Sequence, residues 1–327
     1  MRSSWGTLGT LGTHNRPSLE GASGMKIRGG ALEDFGMDTI SLAGTLEAKL
    51  KAIADAGFTQ VMLSARDVVS HPEGFEAAVS AVKASGLRVT GFQVLRDFEG
   101  LSGHLHHYKI DIAKAMLEMC HALGSKVLLV CSSTSVHASS ETAVLAKDLR
   151  KLAMLALPLG IKVAYEALSW GRNVNEFPQA WEVIQLADAP NLGLGLDSFH
   201  LFATKTALDD LELLDPEKIF LVQLADFMWQ EVPTFEDRMT TARHFRVFPG
   251  EGVHSDALAD LVTRLFALGY RGDYSFEVFN DDYQQLPLGL VSERAWRAAQ
   301  WLGEDVLHRS VPLPNQIRLQ KKTPRAS

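Results

Sequence analysis

The chain has 327 residues, 46% of them hydrophobic and 22% charged, with a mean hydropathy of +0.01. A formal net charge of −7 and a pI of about 5.9 argue against the basic face that a nucleic-acid groove needs. No apolar run reaches the length of a membrane span.

Residues 1–24 are rich in Gly, Ser and Thr and hold no continuous apolar segment. They read as a loose leader rather than a signal peptide, with Met25 as an alternative start. Residues 1–35 are expected outside the fold, 36–310 as one domain, and 311–327 as a loose tail. Cys120 and Cys131 belong to no Cys-x-x-Cys motif and read as buried free thiols, in keeping with a cytoplasmic protein.

From Asp38 onward, short apolar runs alternate with amphipathic segments. Thr39–Ala43 is the first expected strand, followed by a helix over Thr45–Ala56 that Gly57 closes. Gln60–Ala65 is the second strand, with a helix over Glu73–Ser85. Arg88–Leu95 is the third, with a helix over His106–Leu123. Lys126–Ser132 is the fourth, with a helix over Glu141–Leu159. Lys162–Leu168 and Leu192–Phe199 follow, separated by a short helix over Pro178–Ala187. Another short helix, Ala207–Leu214, leads to Ile219–Asp226. Ser255–Leu268, Asp273–Phe279 and a helix from Ser292 to Leu307 complete the pattern. Glycine repeatedly ends a helix shortly before a strand, as left-handed helix caps require. Eight strands alternating with helices predict an α/β fold, a (β/α)₈ barrel. An open dinucleotide-binding sheet would place a glycine-rich phosphate turn after its first strand, and AGTLEAKL is not one.

Polar residues interrupt the later apolar runs: Glu166 in KVAYEAL, Asp197 in LGLGLDSFH, Gln223 in IFLVQLAD and Glu277 in DYSFEVFN. All lie toward strand C-termini, which converge on one mouth in a barrel. Three carboxylates crowded there repel one another unless a cation neutralises them. An all-oxygen set of three carboxylates and an amide suits Mn²⁺ or Mg²⁺, with Co²⁺ as a substitute; Zn²⁺ fits less well. His200, three residues past Asp197, is the candidate base. Arg96 ends the third strand, and Arg243 and Arg246 stand in RHFR. Of these, Arg96 and Arg246 are the leading candidates to hold a substrate carboxylate; the alternative is ion pairing with Asp97, Glu99 or Glu251.

YEALSWGRNVN, LDSFH, FLVQLAD, RHFRVFPGEG and SFEVFND, with FQVLRDFEG and ISLAGTLEAKLKAIADAGF, together resemble the bacterial 3-dehydroshikimate dehydratases. Those enzymes belong to the xylose-isomerase-like superfamily of barrel isomerases and epimerases. The resemblance runs from about Thr39 to about Tyr283. It implies metal ligands at Glu166, Asp197, Gln223 and Glu277, and active-site roles for His200, Arg96 and Arg246. It implies a small acidic hydroxy-ketone substrate, 3-dehydroshikimate, converted to protocatechuate with loss of water. No nucleic-acid or membrane partner is expected, and homo-oligomerisation is left open. The chain departs from the pattern at Ala242, where the dehydratases carry serine, and at VMLSA in the second strand, where they are acidic. A lengthened loop between Asp226 and Arg243 is a third difference. The alternative function is a sugar isomerase or keto-sugar epimerase with Glu166 and Glu277 as acid–base pair.

Overall fold

A computed structural model of the chain describes residues 32–309. Residues 1–31 of the leader expected over 1–35, and the tail expected over 311–327, lie outside the described residues. Eight parallel strands close into a barrel: β1 Phe35–Asp38, β2 Gln60–Ser64, β3 Arg88–Leu95, β4 Val127–Cys131, β5 Lys162–Glu166, β6 Leu192–Asp197, β7 Ile219–Leu224 and, last in the chain, Tyr274–Phe276. Two further strands, β8 Asp226–Phe227 and β9 Arg246–Val247, form an antiparallel pair outside the barrel, so the closing strand is β10. The barrel closes where β10 pairs with β1, Phe35 opposite Tyr274.

The first strand lies earlier than expected. Thr39–Ser41 is a turn of 3-10 helix, because the Asp38 carboxylate accepts the Ile40 N–H at 2.9 Å and turns the chain. Phe35, assigned to the leader from sequence, is a fully buried strand residue instead. Besides Ala65–Val69, directly after β2, two helices at the C-terminal mouth were not anticipated. Ser198–Thr204 begins directly after β6, and Phe235–His244 lies between β8 and β9. The second is fixed at its start by a capping box between Thr234 and Asp237.

Alternate residues of each strand face the barrel interior. Met62, Val127, Leu129, Ala164 and Leu221 pack there as a small cluster of their own. Larger residues such as Tyr165, Phe92 and Phe276 belong to the main core around it. Gly195 is needed inside: a Cβ there would stand 2.9 Å from Leu129 Cδ1 and 3.6 Å from Glu166 Cβ. Register sets the level of the polar residues. Cys131 lies opposite Glu166, Asp197 opposite Gln223, and Gln223 opposite Ser275, so these side chains and Glu277 share the interior face near the top. Among the described residues no helix is long and apolar enough to cross a membrane.

Candidate metal centre and substrate cavity

Asp197 stands opposite Gln223 in register, and Arg246 bridges Asp197 to Glu277. Glu166, Asp197, Gln223 and Glu277 are all nearly or fully buried. One ligand atom each of Glu166, Asp197 and His200 lies within 4.8 Å of the others. Glu166 Oε2 accepts a hydrogen bond from the Cys131 thiol at 3.0 Å. Asp197 Oδ1 accepts the Phe199 N–H at 2.8 Å, capping the helix that carries His200. Burial, then the charges of Asp197 and Glu277, push the Glu166 carboxyl well above the usual range. Glu277 is raised too, by burial and by Asp197, against the opposing effect of Arg246.

Four buried polar atoms here have no hydrogen-bond partner: Glu166 Oε1, Gln223 Oε1, Gln223 Nε2 and Ser275 Oγ. Buried polar atoms are normally satisfied, so an unpartnered carboxylate oxygen and amide in one cluster call for an explanation. A hard divalent cation fits the Glu166 and Gln223 oxygens, since oxygen donors of this kind are what such an ion takes.

Arg246 lines the cavity and is tied to the carboxylate cluster. Its Nη1 lies 2.7 Å from Asp197 Oδ2 and 2.9 Å from Glu277 Oε2, its Nε donates to the Ala242 carbonyl, and it sits over the Phe199 ring. The acidic partners considered for the arginines from sequence are engaged elsewhere. Asp97 accepts from Thr134, Glu99 from Ser133 and Tyr165, and Glu251 pairs with Arg294. Arg96 is exposed at the cavity rim and forms no ion pair among the described residues.

His200 lies beside the cluster, 3.6 Å from Asp197 by its Nε2. The Ser169 backbone N–H donates to His200 Nδ1 at 3.2 Å. A backbone N–H cannot accept, so this contact favours the neutral ring with its proton on Nε2; the Ser169 hydroxyl, 3.0 Å from Nδ1, suits either tautomer. Burial, then the charge of Arg246, push His200 well below the ordinary imidazole value. A neutral ring with Nε2–H is a hydrogen-bond donor, and in that form it has no lone pair left for a metal. Trp170 packs edge-on against the ring at 5.1 Å.

Three polar neighbours were missed. Gln93 donates to Asp38 and also bonds Glu277; Asp38 is fully buried and raised well above its usual range by burial, then by Glu277. Ser169 holds His200. Gln93 did carry a signal, interrupting the apolar run GFQVL. Above the cluster lies a cavity of about 340 Å³, lined among others by Gln93, Arg96, Glu166, Trp170, His200, Arg243, Arg246 and Glu277.

A family model of the xylose isomerase-like TIM barrel matches residues 50–305. The chain belongs to the xylose isomerase-like TIM barrel family. Within it, 88% of the chain is 38% identical to a 3-dehydroshikimate dehydratase of Pseudomonas aeruginosa, covering 43% of that protein. An inosose isomerase of Bacillus licheniformis is 30% identical over 63% of the chain and 70% of its own length. A solved xylose isomerase-like TIM barrel/4-hydroxyphenylpyruvate dioxygenase fusion protein superposes with a TM-score of 0.78 at 34% identity, over 84% of this chain and 43% of the fusion. The chain thus spans less than half the length of the Pseudomonas relative and of the fusion protein.

Proposed function

We propose that this barrel is a metal-dependent 3-dehydroshikimate dehydratase, which removes water from a cyclic hydroxy-ketone acid to give protocatechuate. The observation that carries it is the cluster of buried, unpartnered oxygen donors beneath a cavity rimmed by arginines. The likeness to the Pseudomonas dehydratase supports the same reading.

Glu166, Asp197, Gln223 and Glu277 would hold the cation, with Mn²⁺ or Mg²⁺ the best match to an all-oxygen set and Co²⁺ a substitute. Bound there, it supplies Lewis-acid polarisation of a substrate carbonyl. His200 donates its Nε2 proton as a hydrogen bond to an oxygen that gains negative charge, without itself ionising. Neutral imidazole serves as such an electrophile when its pKa is depressed. Proton transfer from carbon therefore falls to a carboxylate. Glu166 and Glu277, which line the cavity, are the groups placed to take that proton and return it to the departing hydroxyl. The balance is two C–H bonds and one C–O bond broken, two ring C=C bonds formed as the ketone becomes a phenolic C–OH, and one water released.

An isomerase acting on a neutral cyclic ketone is the second reading, and the inosose isomerase relative favours it. Arginines at the cavity rim favour the acidic substrate. The test is to incubate Mn²⁺-loaded protein separately with 3-dehydroshikimate and with inosose. The dehydratase reading expects ultraviolet absorbance from an aromatic product in the first mixture and no change in the second. Isomerised inosose with unchanged 3-dehydroshikimate would overturn it.

A further inference from the structure

Two arginines line the cavity without an ionic partner, and only one of them stood out from sequence as a leading candidate. Arg243 is exposed on the last turn of the helix Phe235–His244 and borders the same cavity as Arg96, His200 and Trp170. Neither Arg243 nor Arg96 forms an ion pair among the described residues. Arg246, three residues on, is buried and already bridges Asp197 and Glu277.

The helix that carries Arg243 is tied down over the mouth. Arg238 on the same helix donates to the Ser169 carbonyl at 3.0 Å and to the Val232 carbonyl at 3.1 Å. Trp170, the residue after Ser169, presents its ring to the Arg243 guanidinium at 5.9 Å. The same ring packs on His200. Arg243, Trp170 and His200 therefore form one wall. A cation at a helix C-terminus is favourable in itself, which accounts for an arginine in the last turn. It does not account for a guanidinium bordering a cavity that has carboxylates at its floor.

The cavity is thus polarised, with oxygen donors for a cation below and two uncompensated guanidinium groups above. The geometry points to Arg243, together with Arg96, as the group that recognises the substrate carboxylate, while Arg246 serves the carboxylate cluster. This inference rests on the proposed dehydratase reading and assigns its specificity for an acid. A volume of about 340 Å³ accommodates a single small ring.

Protocatechuate and catechol are the probes, because both carry adjacent ring hydroxyls and only the first carries a carboxylate. Their affinities for Mn²⁺-loaded wild-type protein and for Arg243→Met are measured by calorimetry, with Arg243→Lys as the charge-retaining control. A charge-assisted hydrogen bond is worth about tenfold to a hundredfold in binding. Wild-type protein is expected to prefer protocatechuate by at least that margin. Arg243→Met should lose the preference by weakening protocatechuate alone, leaving catechol within about twofold, and Arg243→Lys should recover part of it. An unchanged preference in Arg243→Met would overturn the inference. If that variant also keeps the wild-type KM for 3-dehydroshikimate while wild type makes aromatic product, only the assignment of Arg243 falls. Wild-type protein that binds neither probe and makes no aromatic product would overturn the dehydratase reading and this inference together.

Discussion

Replacing Gln223 by leucine should move stability and metal affinity in opposite directions. Gln223 is fully buried in β7, and neither its Oε1 nor its Nε2 has a hydrogen-bond partner. Leucine has a similar volume and no polar atom to satisfy. A buried polar group left unpaired costs about 1–3 kcal/mol, so Gln223→Leu should stabilise the metal-free protein by that amount. For a domain of this size each kcal/mol shifts Tm by about 2–4 °C. Mn²⁺ at a hundred times its Kd should add about 2.7 kcal/mol to the wild type by binding the folded state alone. The variant should gain less at the same concentration, having lost one of four donors. The assay is a thermal melt of EDTA-treated wild type and Gln223→Leu, each with and without Mn²⁺. A lower metal-free Tm for the variant, with an undiminished Mn²⁺ shift, would show that the amide serves the core and not a cation.

Arg246→Met should destabilise metal-free protein by about 3–5 kcal/mol, because it leaves Asp197 and Glu277 buried without a counter-charge. Mn²⁺ should recover more stability in this variant than in wild type; equal Mn²⁺ shifts would contradict the shared role of guanidinium and cation. Glu99 is buried and raised to about 7, chiefly by burial. The native state therefore holds a proton that the unfolded chain releases near the ordinary value of 4.5. Its contribution is fully present below about pH 4.5, falls as pH rises, and is lost above about pH 7, a span of about 3 kcal/mol. Glu99→Gln should flatten that part of the stability profile in urea titrations at pH 5 and pH 8, and an identical slope in the two proteins would refute it. For His200, nitrogen NMR should show the Nε2–H tautomer at neutral pH, and His200→Ala should lower kcat by about 10²–10³-fold. A ring protonated on Nδ1, or undiminished turnover, would remove the donor role.

The barrel was legible because strands buried on both faces read as apolar runs, and four polar residues stood out against them. Their shared interior face follows from the period of two along each strand, so the cluster could be read before any contact was known. The first strand was misplaced for a local reason: the Asp38 side chain turns the chain at Ile40, where the apolar letters suggested a continuing strand. The helix Phe235–His244 has few apolar residues, and only the Thr234–Asp237 capping pair marks it in sequence. The role of Arg246 depends on contacts with Asp197 and Glu277, 49 and 31 residues away, which no local pattern encodes. The His200 tautomer likewise depends on a backbone N–H in the loop after β5.

The most direct measurement is the rate of protocatechuate formation from 3-dehydroshikimate by protein stripped with EDTA, before and after adding Mn²⁺. The account predicts no aromatic product from the stripped protein, restoration by Mn²⁺, and no restoration in a Glu166→Gln, Glu277→Gln double variant. Full turnover by metal-free protein, or none after Mn²⁺ has been shown by calorimetry to bind, would contradict it.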